Sequence, residues 1–288
     1  MNMESETYEQ LLHEGESCLQ DEEIADAKWD AFLLLEYVSG MNRSSYFLKR
    51  QDAVPLEEKK RYLELIQRRA EHIPLQYLTG GQEFMGLDFE VTPDVLIPRQ
   101  DTECLIETAL PFVEGKKVLD MCTGSGCIAI SLQVLGKSVT CDAADLSKEA
   151  LKVAERNAVK NHAQIQFIQS DLFENVEGKY DVIVSNPPYI PPHVIEGLME
   201  EVRVYEPRMA LDGGVDGLDF YRRITKESVA YLVADGFLLY EIGCEQAADV
   251  MSILAEAGFT NICCRKDYAG KDRVVYGKKA GGKTCLID

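Results

Sequence analysis

The chain reads as an α/β protein: a doubly wound, largely parallel sheet preceded by an N-terminal helical bundle and a linker hairpin. Three observations predict this. From about residue 117 onward, apolar runs of strand length alternate with helix-patterned stretches, which implies a parallel sheet with crossover helices. The first of those strands runs directly into a glycine-rich turn, Cys122-Thr123-Gly124-Ser125-Gly126, after which helical composition resumes. Residues 1 to about 75 carry helical periodicity and no catalytic constellation.

Within the bundle, predicted as domain 1–75, Tyr8-Leu11-Leu12 and Ala31-Phe32-Leu34-Leu35-Val38 supply apolar faces. Leu56 to His72 begins with Glu57 and Glu58 and ends with Arg68 and Arg69, matching the helix dipole. Its functional reading is acceptor recognition; its plain reading is a stabilising cap. Between 76 and 98 the Gly and Pro content and short alternating runs predict the linker hairpin, with a strand from Leu87 to Thr92 and Gly80-Gly81 as hairpin punctuation. The catalytic domain, 99–288, should contain strands at 117–121, 138–144, 165–169, 180–185, 237–242, 260–264 and 273–277. The last two can pair antiparallel around Asp267 to Lys271. The segment Lys278 to Lys283 reads as a mobile tail of low complexity.

A chain of 288 residues, 46% hydrophobic and 27% charged, can bury a sizeable core and fill two domains. No apolar run approaches membrane-spanning length, and Met1-Asn2-Met3-Glu4-Ser5-Glu6 is unlike a signal peptide, which together predict a cytoplasmic protein. The nine cysteines include no C-x-x-C pair, and Cys122, Cys127, Cys141 and Cys244 lie in or beside expected core elements, so reduced thiols are expected. Four scattered histidines argue against a metal site. The ending Cys285-Leu286-Ile287-Asp288 only superficially suggests a prenylation box, since aspartate is not a usual last residue. A net charge of −19 opposes binding to nucleic acid and suits an acceptor with a basic face, although acidic surfaces also serve solubility.

The densest chemistry lies in Asn186-Pro187-Pro188-Tyr189, which follows the apolar run Tyr180 to Ser185. The end of a parallel strand is where such sheets open their sites. A planar amide or amino nitrogen is a poor nucleophile because its lone pair is delocalised. A site that accepts both N–H bonds turns that lone pair toward an electrophile. Asn186 can supply one acceptor and the stiff Pro187 carbonyl another, while Tyr189 can stack on the planar group. The plain alternative is a Pro-rich turn. In the glycine-rich turn the backbone can approach a ligand at a helix N-terminus, although the spacing is not that of the dinucleotide fingerprint. Asp145, at the tip of the second strand, is placed for both ribose hydroxyls; otherwise it caps the helix starting near Ser147. Asp171, after the third strand, can meet an adenine amino group or sit in solvent, and Leu172 adjoins it.

Together these residues resemble class I S-adenosylmethionine-dependent methyltransferases, which have a Rossmann-like, seven-stranded, doubly wound sheet. Ile73 through Gly80, Glu83-Phe84-Met85-Gly86 and Ile97-Pro98-Arg99-Gln100-Asp101-Thr102-Glu103 narrow the resemblance to the PrmC/HemK family, as do Glu206 through Leu211 and Gly213 through Leu218. That resemblance implies transfer of a methyl group to the glutamine side-chain amide of the Gly-Gly-Gln motif in peptide chain release factors. It implies S-adenosylmethionine on Cys122, Thr123, Gly124, Ser125, Gly126, Asp145, Asp171, Leu172 and Asn186. The acceptor would lie on Asn186, Pro187, Pro188 and Tyr189, with Asn186, Pro187 and Tyr189 catalytic and Arg99 and Glu103 shaping the pocket or ion-paired at the helix start. The family usually has Gly at position 122 and Pro at 100. Cys122 fits unless φ must be positive there, and Gln100 loosens the turn before the helix. An alternative activity is adenine-N6 methylation of DNA or RNA, which uses the same tetrad. The chain's own Gly80-Gly81-Gln82 is read as structural rather than as a self-methylation site.

Overall fold

The structure is a computed structural model that describes residues 6–281. The Cys285 ending lies outside the described residues. The chain divides into two compact units, one running to Gly80 and including Met199–Tyr205, the other holding the remainder.

The first unit is built on α1 (Tyr8–Asp21), α2 (Ala27–Ser39), α3 (Arg43–Lys49), α4 (Leu56–Ala70) and α5 (Leu75–Thr79). A reciprocal capping box starts α1: Thr7 Oγ1 accepts from Gln10 N, and Thr7 N donates to Gln10 Oε1 at 2.9 Å. Tyr8, Leu11, Leu12, Ala31, Leu34 and Leu35 bury together as the pattern requires, joined by Tyr62 and Ile66 of α4. Arg69 does more than complement a helix dipole. It is buried and donates to Asp30 at 2.7 Å, to Glu201 at 2.6 Å and to the Ile73 carbonyl at 3.2 Å. Burial raises the Asp30 pKa, and the Arg69 guanidinium opposes that rise.

The second unit opens with a hairpin, β1 (Gly81–Phe84) and β2 (Leu87–Glu90). Its turn is Met85-Gly86, both at positive φ (54° and 74°), not Gly80-Gly81. Gly80 instead ends α5 in the left-handed conformation, and Gly81 and Gln82 already pair across the hairpin. The remaining elements are α6 (Gln100–Val113), β3 (Lys117–Met121), α7 (Cys127–Leu135), β4 (Thr140–Asp145), α8 (Lys148–Lys160), β5 (Ile165–Gln169), β6 (Tyr180–Ser185), α9 (Pro192–Ile195), α10 (Glu200–Tyr205, part of the first unit), α11 (Asp219–Tyr231), β7 (Leu232–Glu241), α12 (Ala247–Glu256), β8 (Phe259–Lys266) and β9 (Asp272–Lys279). The hairpin is fastened to α8, where Asn157 bonds both the N–H and the carbonyl of Glu90 and Arg156 forks onto the Glu90 carboxylate.

The sheet has the order β5-β4-β3-β6-β7-β9-β8, parallel from β5 to β7 and antiparallel at β9 and β8. Both faces are covered. Val118, Val182 and Val184 turn toward α6 and α7, whereas Leu119, Met121 and Ile183 turn toward α11 and α12. Several strand boundaries differ from expectation, among them those of β4, β7 and β9. Ser138 takes φ 55°, so β4 begins only at Thr140. The strand expected from 237 begins at Leu232, so Asp235-Gly236 is absorbed in β7 through a register shift opposite Tyr180 and Val182. Lys278 and Lys279 belong to β9, where Lys279 Nζ donates to the Val229 and Leu232 carbonyls, so the ordered chain extends into the expected tail.

Candidate active site

Sequence order reverses between β3 and β6, and the carboxyl ends of the parallel strands converge there. β3 delivers Cys122 to Gly126, β4 Asp145, β5 Asp171 and Leu172, and β6 Asn186. All of these except Gly126 line one cavity of about 320 Å³, together with Pro98, Arg99, Thr102, Pro188, Met209 and Phe220. Gly126 lies just behind, at the N-terminus of α7 with φ 81°.

The glycine-rich turn is fixed from within. Asp120, buried on β3, accepts from Thr123 Oγ1 at 2.5 Å and from Ala129 N at 3.2 Å, and burial pushes its pKa up to about 7. Cys122 sits at φ 63°, so the position does demand the left-handed region, contrary to the condition under which a cysteine fits without cost. Burial raises its thiol pKa. Asp145 is not a helix cap: Ser147 takes that position and accepts from Ala150 N at 3.1 Å. Asp145 instead ties the turn to β4, Oδ2 accepting from Gly124 N at 2.9 Å and Oδ1 from Ser147 N at 2.8 Å. Each oxygen keeps a further lone pair for a ligand on the cavity side. Burial raises the Asp145 pKa, and those backbone donors counter it. Asp171, half exposed, pairs with Arg223 at 2.9 Å.

Asn186 turns Nδ2 to Thr102 Oγ1 at 3.3 Å, which leaves Oδ1 as its unspent acceptor. Pro188 reaches the cavity; Pro187 and Tyr189 are not among its lining residues. The Tyr189 hydroxyl donates to buried Glu241 at 3.4 Å, and burial raises its pKa. The tetrad's backbone is braced by the loop after β6. Ile190 N donates to the Leu211 carbonyl and Gly213 N to the Ile190 carbonyl, and a Cβ at Gly213 or Gly217 would lie within 2.6 Å of the Tyr189 backbone. That close approach accounts for two of the glycines in Gly213-Gly214-Val215-Asp216-Gly217.

Arg99 and Glu103 do not pair with each other. Arg99 is ion-paired with buried Glu206, which also accepts from Ile97 N, and Glu103 accepts from Met85 N at 2.9 Å across to the hairpin. Gln100 is the first residue of α6, a position where its N–H has no intrahelical role, so the helix start is intact without proline. Cys244 is exposed rather than in the core, while Cys127 and Cys141 are buried and all described cysteines are unpaired. Among the described residues no group of His, Cys, Asp and Glu is arranged to hold a metal, and no helix is long and apolar enough to cross a membrane. Sequence reading missed Thr102 and Glu241; the latter is an acid at a strand tip, the same signal that singled out Asp145.

The family model described as PrmC N-terminal domain matches residues 10–80, and that described as Methyltransferase small domain matches residues 100–203. The release factor glutamine methyltransferase of Clostridium acetobutylicum is 42% identical over 88% of this chain and 91% of its own length. That of Geobacter sulfurreducens is 40% identical over 94% and 96%. The fold is also that of a methyltransferase crystal structure from Pyrococcus furiosus, with a TM-score of 0.53 at 19% identity over 68% of this chain and 91% of that one. A seven-stranded class I methyltransferase sheet, a PrmC N-terminal domain and full-length similarity at this level have one reading: the chain belongs to the release factor glutamine methyltransferase family.

Proposed function

We propose that this enzyme methylates the N5 side-chain nitrogen of the glutamine in the Gly-Gly-Gln motif of peptide chain release factors, with S-adenosylmethionine as donor. The observation that carries the reading is Asn186: its Nδ2 is committed to Thr102, its Oδ1 keeps its acceptor capacity, and the residue lines the cavity that the glycine-rich turn and Asp145 also line. An acceptor amide bound there can donate one N–H to Asn186 Oδ1 and the other to a backbone carbonyl of the Asn186-Pro187 turn. Both bonds hold the amide plane so that the nitrogen lone pair points along the transfer line.

The residues fit the proposed cofactor. Thr123, Gly124 and Ser125 bring backbone to the cavity, Asp145 offers two carboxylate oxygens suited to a ribose diol, and Asp171 and Leu172 border the expected adenine end. When bound, the cofactor supplies a methyl group already activated on a sulfonium. The protein's work is therefore to orient and to exclude water; the amide proton leaves after transfer has made the nitrogen acidic, so no general base is assigned. Tyr189 acts from behind the tetrad, since its hydroxyl is held by Glu241. The helical unit is proposed to recognise the body of the release factor, because a three-residue target offers far less than the ~1,200 Å² of a specific interface. The enzyme would then work in the cytoplasm beside the translation apparatus.

Mass spectrometry of a purified release factor after incubation with enzyme and cofactor tests this. One added methyl group on the Gly-Gly-Gln glutamine is expected, and an intact factor should outperform a loop peptide. Adenine-N6 methylation, the alternative, predicts label in nucleic acid and steep salt dependence.

A further inference from the structure

The charged part of the cavity wall is acidic with one exception. Asp94, Asp145, Asp171 and Asp212 line it, and Arg99 is the only lysine or arginine among the described residues that do. Each aspartate already has a partner. Asp94 accepts from Thr92 Oγ1 at 3.2 Å, Asp145 from Gly124 N and Ser147 N, and Asp212 from Gly214 N at 3.0 Å, while Asp171 pairs with Arg223.

Arg99 is held differently. Its Nη2 is ion-paired with Glu206, which is buried and takes Ile97 N at 3.3 Å with its other oxygen. No further hydrogen bond engages the guanidinium among the described residues. A guanidinium carries its N–H donors in a rigid fork, so one anchored at a single nitrogen keeps most of them unspent. Its place is also fixed. Arg99 immediately precedes α6, and its carbonyl accepts at 3.0 Å from the N–H of Thr102, the residue that bonds Asn186. Arg99 therefore belongs to the Asn186 side of the cavity, whereas Asp145 and Asp171 come from other strands.

A Gly-Gly-Gln loop brings no charge of its own to this cavity. The proposed donor brings a sulfonium, an ammonium and one anion, the α-carboxylate of its methionine end. We propose that Arg99 is the binding residue for that carboxylate. The inference rests on the S-adenosylmethionine reading above: with the ribose on Asp145 and the methyl group before Asn186, the methionine end is left to the wall that Arg99 borders. A guanidinium fork matches a carboxylate with paired, charge-assisted hydrogen bonds, and the glycine-rich turn supplies no cation to compete.

The test uses the full-length enzyme and reads binding rather than turnover. Calorimetry compares S-adenosylhomocysteine with its decarboxylated counterpart, which keeps the adenine, ribose, sulfur and ammonium and lacks only the carboxylate. The parent should prefer the carboxylated ligand by about 10- to 100-fold. In Arg99→Met that preference should shrink to within about threefold, and Arg99→Lys should keep part of it because the charge remains without the fork. If Arg99→Met does not fold with Glu206 left unpaired, Arg99→Met/Glu206→Gln removes both charges and should show the same loss. An arginine that only braces the wall would weaken both ligands alike. An undiminished preference in a folded variant, a parent without preference, or a raised KM for the release factor with the preference intact would overturn the inference. Failure of the underlying reading looks different: the parent would bind neither ligand.

Discussion

Gly213→Ala is the sharpest structural test of how the tetrad is held. Gly213 has no positive φ to lose, so an added methyl group acts through space alone. Its Cβ would lie 2.6 Å from the Tyr189 Cα, 2.7 Å from the Tyr189 carbonyl carbon and 2.8 Å from the Pro188 oxygen, all backbone atoms that cannot rotate away. Ordinary contact begins at 3.4 Å, so the Pro188-Tyr189 backbone must retreat by about 0.8 Å. The retreat passes to Asn186 two peptides upstream, and a displacement near 1 Å at a positioning group costs roughly 100-fold in rate. The accompanying loss of stability should be about 1–3 kcal/mol, the usual scale for overpacking. Steady-state methylation of the release factor at saturating cofactor should therefore show kcat down about 100-fold, with cofactor affinity near the parent because the glycine-rich turn and Asp145 lie on other strands. Gly197→Ala is the control, since its Cβ meets nothing closer than 3.5 Å and its φ is not positive. A folded Gly213→Ala enzyme with parental kcat would refute the claim that this loop sets the tetrad's position.

Asn186→Ala should lower kcat by about 10²–10³-fold while cofactor affinity falls less, read by single-turnover methylation and calorimetry. Asp145→Ala should weaken cofactor binding by about 10-fold or more, and it also strips Gly124 N and Ser147 N of their acceptor, so turnover at saturating cofactor should recover only in part. Cys122→Gly should be more stable than Cys122→Ala by about 1 kcal/mol in denaturant titration, because only the glycine escapes the left-handed penalty while both lose the thiol. Burial pushes the Glu241 pKa from its ordinary 4.5 up to about 7, with Thr102 and Asp101 of α6, Tyr189, Tyr221 of α11, Cys127 of α7 and the Arg273–Asp267 pair facing it. Because the folded state keeps that proton to higher pH than the unfolded chain does, the group's contribution to stability should be present in acid and decline as pH rises from about 4.5 through about 7.

The strands that build the site were legible because each is a short apolar run closed by turn residues, and a run of that kind needs no tertiary information to be seen. Their tips follow from the same rule, so the sequence alone puts Asp145 and Asn186 at one end of the sheet. Glu241 obeys the rule too, but with β7 read as ending at residue 242 it fell inside the strand, and an acid inside a strand carries no signal of a site. What sequence could not carry was pairing across long separations. Arg69 reads as a last-turn cation until Asp30 and Glu201, 39 and 132 positions away, are seen against it. Gly80-Gly81 and Met85-Gly86 compete as hairpin turns on composition alone, and the choice between them is made by the register that buries Phe84 and Phe89 together.

Tyr189 shows where motif reasoning stops for a physical reason. Adjacency to Asn186 and the two prolines says that the tyrosine is near the chemistry, but its direction is set by what lies behind it. The apolar side offers a packed position against the core under α11 and α12, and Glu241 offers a buried acceptor for the phenol that would otherwise be unsatisfied on entering that core. Turning the ring into the cavity would surrender both and leave the Glu241 carboxyl with one partner fewer. The balance favours the ring behind the tetrad, and under the proposed clamp the planarity of a bound amide would come from its two hydrogen bonds.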